Sequence, residues 1–275
     1  MLLLLALLLL PLSPADVKSR AGDIAPAPNY ETALTEILQR VVTGDGLVRY
    51  ELLRGDLRTD FRRVLKAVET YDPALLTTRQ ARLAFWLNAY NVQMLQNIIE
   101  TPHVQDIFAD GFGDAFFKTP FLTAGLAATL DEIEHVVLRN QDGPAALQAL
   151  RPGPLDPRIH VGLNCAAVSC PRLLPAAFAP AGVDTALDDA LRAFVNSPAH
   201  LRVEGDSFVL SSLLDWFGPD FDSQGKPAGT YLLSFMDPAR PGYAALHKLL
   251  DGRSAAALKA RPGVRFVYQW AINRA

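Results

Sequence analysis

The sequence predicts an α+β fold, a mostly helical single domain with a small antiparallel sheet. Three observations lead there. Segments with apolar residues at three- and four-residue spacing recur along the chain. Alternating apolar–polar runs are few, and they do not alternate with the helices in the regular order that a parallel doubly wound sheet needs. Pro 20 and Gly 18 among 275 residues break the chain often and keep elements short.

The elements follow in order. "MLLLLALLLLPLSPAD" is an apolar run of about ten residues, too short to cross a bilayer, which needs roughly 20. Its length, followed by Ser13 and Ala15, suits a cleavable export signal over residues 1–15, although no Lys or Arg precedes it. Residues 16–28 read as a linker and residues 29–275 as the globular domain. "YETALTEILQRVV" places Leu34, Ile37, Leu38 and Val41 on one helical face. "LVRYELL" is ambiguous between strand and turn. "RTDFRRVLKAVETY" is a second amphipathic helix, stopped by Asp72-Pro73. "RQARLAFWLNAYNVQMLQNII" is apolar around most of its circumference and predicts a buried central helix. The stretch from Asp106 to Leu126 is rich in Phe, lacks a clear period and reads as a packed loop.

"TLDEIEHVVLRN" starts with Thr129 and Glu132 in capping-box spacing. "IHVGLNC" alternates at strand period, which would put His160 and Cys165 on opposite faces. "PRLLP" reads as a helical turn opening behind Cys170. "DTALDDALRAFVNSP" is a helix, and "LRVEGDSFVLSS" a hairpin turning at Gly205-Asp206. Short helices over "SLLDWF", "TYLLSFM" and "YAALHKLLDGR" precede a final strand, "VRFVYQWAI".

The net charge of -3, with 20% charged residues and no basic patch, disfavours nucleic acid as a partner. Phosphate loops, paired CxxC motifs and HExxH are absent from the sequence, and no cofactor or resident metal is expected. The membrane enters only through the leader.

Candidate chemistry rests on few residues. The chain's two cysteines are Cys165 and Cys170. Cys165 falls where the strand pattern ends, as a buried inert thiol or as a nucleophile. Cys170 is a second thiol, placed where a helix start would lower its pKa, or the disulfide partner of Cys165. His135 follows Asp131 by four residues and Glu132 by three, so either carboxylate could orient its ring. Asn88 and Asn91 share a helix face and either tie the core to loop backbone or line a polar pocket.

"AFWLNAYN", "ATLDEIEH", "DPRIHVGLNCAAVSCPRL" and "RFVYQWAIN" follow one another in an order that resembles the family called domain of unknown function 547, from roughly Tyr50 to the C-terminus. The resemblance implies site roles for the positions of Asn88, Asn91, His135 and Cys165. It favours Cys165 over Cys170 as nucleophile, because many plant members carry serine at the second position. It also implies an acid between the tyrosine and tryptophan of the last motif, where this chain has Gln269. The family has been likened to papain-type thiol folds; with His135 ahead of Cys165, such a likeness would require circular permutation.

Two functions compete. One is an exported thiol enzyme that transfers or hydrolyses an acyl group of a small molecule or peptide, with Cys165 as nucleophile, His135 as base, Asp131 or Glu132 as orienting acid and Asn88 as oxyanion donor. The other is a non-catalytic binding or scaffold domain around an inert cysteine. A redox pair or a zinc site on the two cysteines ranks below both.

Overall fold

The computed structural model describes residues 13–275. The expected leader falls largely outside them. Residues 16–28 lie along the domain: the Glu69 carboxylate accepts hydrogen bonds from the backbone of Arg20 and Ala21, and Ala21 is fully buried.

Helices α1 (Tyr30–Val41), α2 (Tyr50–Arg54) and α3 (Arg58–Glu69) pack beside the long α4 (Arg79–Glu100). The ambiguous "LVRYELL" is therefore a short helix from Tyr50, preceded by a bridge at Val48. Asn29 and Thr78 cap α1 and α4 by accepting first-turn amides. Every residue of α4 from Leu83 to Ile98 is buried, as its apolar circumference predicts. The Phe-rich segment contains α5 (Gly113–Lys118) and leads into the hairpin β1 (Phe121–Thr123) and β2 (Leu126–Ala128).

The capping box forms as its spacing predicts. Thr129 Oγ1 accepts from the Glu132 amide at 3.0 Å, and Glu132 Oε2 accepts from the Thr129 amide at 2.9 Å. It opens α6 (Leu130–Glu132), which widens into a π-helix over Ile133–Leu138. A short α7 (Ala145–Gln148) follows.

The strand expected over "IHVGLNC" is instead a helical turn, α8 (Ile159–Gly162). Asp156 accepts the Arg158 amide at 3.1 Å and Pro157 fixes its own φ, so the chain enters a turn before the alternation begins. The alternation has another cause. Two apolar cores meet here: Ile159 and Leu163 belong to the one around α4, Val161 to the other. A short run buried between two cores carries apolar residues whatever its backbone. "PRLLP" is likewise irregular rather than helical.

The second core is built by α9 (Val183–Asn196), β3 (Leu201–Glu204), β4 (Ser207–Ser211), α10 (Leu213–Trp216), α11 (Gly218–Asp222), α12 (Ala228–Leu233), α13 (Tyr243–Leu250), α14 (Ala255–Lys259) and β5 (Val264–Val267). The β3–β4 hairpin turns at Gly205, whose φ is +57°. Strand β5 joins β4 in parallel, so this sheet is mixed while the β1–β2 hairpin is antiparallel. Beyond Val267 the chain leaves the sheet. Residues 271–273 pair with the 166–168 loop: the Val168 amide donates to the Ala271 carbonyl, and the Asn273 amide to the Ala166 carbonyl, both at 2.8 Å. Among the described residues no helix is long and apolar enough to cross a membrane.

Candidate functional site

The junction of the two cores holds a small cavity of about 90 Å³. Four segments meet there. Helix α4 contributes Tyr90, the π-helix Glu134, α8 His160, and the following loop Cys165 and Cys170; Trp216, Phe217, Tyr268 and Trp270 wall it.

A ladder of buried amides positions the loop. Asn91 Nδ2 donates to the Gly162 carbonyl at 3.0 Å, and its Oδ1 accepts from the Asn164 amide at 2.9 Å. Asn164 in turn donates to the Pro171 carbonyl and accepts from the Ala166 amide. Tyr50 Oη donates to Asn273 Oδ1 at 2.6 Å behind it. Asn88 does the same for the 178 segment, with Nδ2 on the Phe178 carbonyl at 2.8 Å and Oδ1 on its amide at 2.9 Å. Both Asn88 amide groups are thus engaged with backbone.

Cys165 and Cys170 form a disulfide. The Tyr268 hydroxyl lies 2.8 Å from the Cys165 sulfur and 3.1 Å from that of Cys170. Gln269, where the resemblance implies an acid, is exposed, and its backbone pairs with Ser169.

His160 is the imidazole that lines this cavity together with the two cysteines. Its side chain is 1% exposed and stacks on Phe217 with ring centroids 4.0 Å apart. Its Nε2 lies 2.8 Å from Asp220 Oδ2. Asp220 also accepts from Arg139 Nε at 2.6 Å and Nη2 at 3.2 Å. Burial raises the Asp220 pKa, but the hydrogen bonds from His160 and Arg139 outweigh it and hold the carboxyl at about 2. An ionised carboxylate only accepts, so the imidazole proton sits on Nε2. Burial lowers the His160 pKa against the pull of Asp220, so the ring is neutral at pH 7. Nδ1 is then a free lone pair, 3.9 Å from Glu134 Oε1.

Glu134 is an acid the sequence reading passed over. Burial pushes it up to about 7, reinforced by Asp131 and Asp220 and opposed by Arg139 and the Tyr90 hydroxyl. The π-helix adds a residue to the turn that carries it, and such bulges recur at functional sites.

The other expected residues fall elsewhere. His135 does not line the cavity. Its Nδ1 accepts from Arg139 Nη1 at 2.9 Å and its Nε2 lies 3.6 Å from Asp131 Oδ1. Asp131 thus faces His135 as its spacing suggests, whereas the Glu132 carboxylate is engaged in the capping box. Through Arg139, His135 touches the Asp220 end of the His160 pair from outside. Among the described residues no group of three or more His, Cys, Asp or Glu is placed to hold a metal ion.

Fold and site together define a mostly helical α+β domain whose junction cavity combines a disulfide with a buried His–Asp–Arg cluster. Residues 74–195 match the model of the family described as "Protein of unknown function, DUF547", and the chain carries a domain of that family. That segment holds Asn88, Glu134, His160 and both cysteines; Asp220, Tyr268 and Trp270 come from beyond it. No curated protein and no solved structure matches the chain.

Proposed function

We propose that this is an exported, cysteine-dependent enzyme of acyl transfer, an amide or thioester hydrolase that works when the Cys165–Cys170 disulfide is reduced. The observation that carries the reading is one cavity lined by both Cys165 and a neutral imidazole, His160, oriented through Nε2 by Asp220. This is the division of labour thiol catalysis needs: one ring nitrogen free to take a proton, the other fixed by an acid. The base is then His160, with Asp220 as its positioning residue.

A dithiol donor gives two electrons and two protons to the disulfide and is itself oxidised. The Cys165 thiol passes its proton to His160 Nδ1, and the thiolate attacks the acyl carbon. The tetrahedral adduct collapses to a thioester as the leaving group takes the proton from His160. Water, deprotonated by the same nitrogen, releases the acid. Export is supported by the leader-like apolar run and by a disulfide, a bond that persists in oxidising compartments. Such a compartment makes the dithiol donor part of the system.

A second reading is a binding or scaffold domain with an inert disulfide. Both sulfurs already contact Tyr268, and a cavity of about 90 Å³ is below the usual size of a ligand pocket, roughly 300–1,000 Å³. Alkylation separates the two. After reduction by a phosphine, iodoacetamide should modify Cys165 faster than free cysteine at pH 7, and His160→Ala should abolish the advantage. A Cys165 that reacts no faster than free cysteine in the folded, reduced protein leaves the binding reading.

A further inference from the structure

We propose that the groove on the far side of the disulfide is the binding channel for a neutral, apolar acyl group delivered to Cys165. The assignment rests on the thiol-enzyme reading above and names its substrate class.

The groove encloses about 340 Å³ and shares Cys170 and Pro171 with the junction cavity. The disulfide loop is therefore a wall between the two, with the groove on one side and His160 on the other. Helix α8 straddles the same wall: His160 lines the cavity and its neighbour Val161 lines the groove. A chain lying in the groove ends beside Cys170, the disulfide partner of Cys165. Its carbonyl would be presented there, and the leaving group would depart on the Trp216 and Trp270 side.

The lining sets the chemistry. Val168, Leu174, Ala190, Ala193 and Phe194 supply an apolar surface. His200, also in the wall, stacks on Phe194 with centroids 4.4 Å apart, and burial holds its pKa at about 4, so it adds no charge at neutral pH. The charged groups among the lining residues are Asp45, Arg172 and Asp189. Asp189 accepts from Arg192 at 2.7 Å, Arg172 donates to the Gly44 carbonyl, and Asp45 accepts from Thr43. All three are exposed, so no buried charge lies in the groove wall. None of the lining residues lies in a strand, so a peptide cannot bind there by extending a sheet, which disfavours an extended polypeptide against a plain acyl chain.

A second observation points to the same place. Of the four exposed large apolar side chains among the described residues, three are Val168, Trp216 and Phe108, at 40%, 43% and 47%; the fourth is Leu75. Val168 lines the groove, Trp216 walls the cavity, and Phe108 packs on Trp270 with centroids 4.5 Å apart. Exposed apolar surface thus brackets the disulfide on both sides.

The test uses the full chain, reduced by a phosphine, with acetyl, hexanoyl and decanoyl p-nitroanilides. Burying a methylene is worth roughly fourfold, so kcat/KM should rise at least about tenfold from acetyl to hexanoyl. Ala193 is exposed on α9 and lines the groove, so Ala193→Trp should fill it without touching the core. This variant should lose the chain-length preference, with hexanoyl and decanoyl turnover falling toward the acetyl rate. Equal rates for all chain lengths with a reactive Cys165 overturn the groove and spare the thiol. A hydrophobic dipeptide anilide cleaved faster than the decanoyl substrate overturns the acyl assignment. If no substrate is cleaved and Cys165 is unreactive, the thiol reading fails, and equilibrium binding judges the groove alone. Decanamide binding more tightly than hexanamide, and at least about tenfold more weakly to Ala193→Trp, supports it; equal or absent binding overturns it.

Discussion

Replacing Asp220 by Asn tests the cluster that orients the cavity's imidazole. Asn keeps the shape of the side chain and removes its charge. In the wild type the carboxylate accepts from His160 Nε2 and from two Arg139 nitrogens, and its pKa falls from 3.8 to about 2. At about 1.36 kcal/mol per pH unit this is worth up to roughly 2.4 kcal/mol. Solvent screening of a partly buried group brings it down to about 1–2 kcal/mol. The amide also turns an NH2 toward His160 or Arg139, leaving one donor unpaired at a cost of about 1–3 kcal/mol. The expected total is about 3 kcal/mol at pH 7, or a drop in Tm of roughly 6–12 °C for a chain of this size.

The pH dependence carries the sharper test. The Asp220 pKa is lower in the folded protein than in the unfolded chain, so the charge contribution is fully present above about pH 4 and is lost as pH falls toward 2. Urea unfolding of wild type and Asp220→Asn, measured from pH 7 down to the lowest pH that keeps the protein folded, should show the two curves converging below pH 4. A difference under about 0.5 kcal/mol at pH 7, or one that does not shrink on acidification, refutes the charge cluster as described. In the reduced protein the same variant should slow Cys165 alkylation, because an unanchored His160 loses its tautomer.

Two further outcomes follow from other parts of the fold. Glu134 has its pKa raised to about 7, so the folded state holds more protons than the unfolded chain between about pH 4.5 and 7, and stability falls as pH rises through that window; Glu134→Gln should remove this decline, so that its stability relative to wild type increases by about 2–3 kcal/mol between pH 5 and pH 8 in urea titrations. Gly229 sits where a Cβ would lie 1.9 Å from the Leu250 carbonyl oxygen and 3.0 Å from that of Arg253, and its amide donates to Arg253 at 2.9 Å; Gly229→Ala should cost about 3 kcal/mol or more by thermal unfolding, since backbone rather than a flexible side chain must move.

What the sequence made legible, and what it hid, follows from where each residue's partners lie along the chain. Local rules worked. Thr129 and Glu132 cap their helix because both partners are within one turn, and α4 is buried along its length because its own composition requires it. Asn88 and Asn91 announced themselves as amides inside an apolar helix, and both tie that helix to loop backbone more than 70 residues away. The cavity's imidazole was hidden by a wrong period. Ile159, Val161 and Leu163 alternate because two cores meet across α8, and a strand reading of that alternation sent His160 away from Cys165. Glu134 left a signal that was available. It lies four residues after Leu130 and three before Val137, on the apolar stripe of its own helix, where a carboxylate must be paired or have its pKa raised. Asp220 left none: it sits in "GPDFDS", and only the fold brings His160 of α8 and Arg139, just past the π-helix, onto its carboxylate. A base is recognisable from its neighbours in sequence only when its orienting acid is local. His135 has such a neighbour in Asp131 and stands outside the cavity, whereas His160 meets its acid 60 residues downstream and lines the cavity together with Cys165 and Cys170.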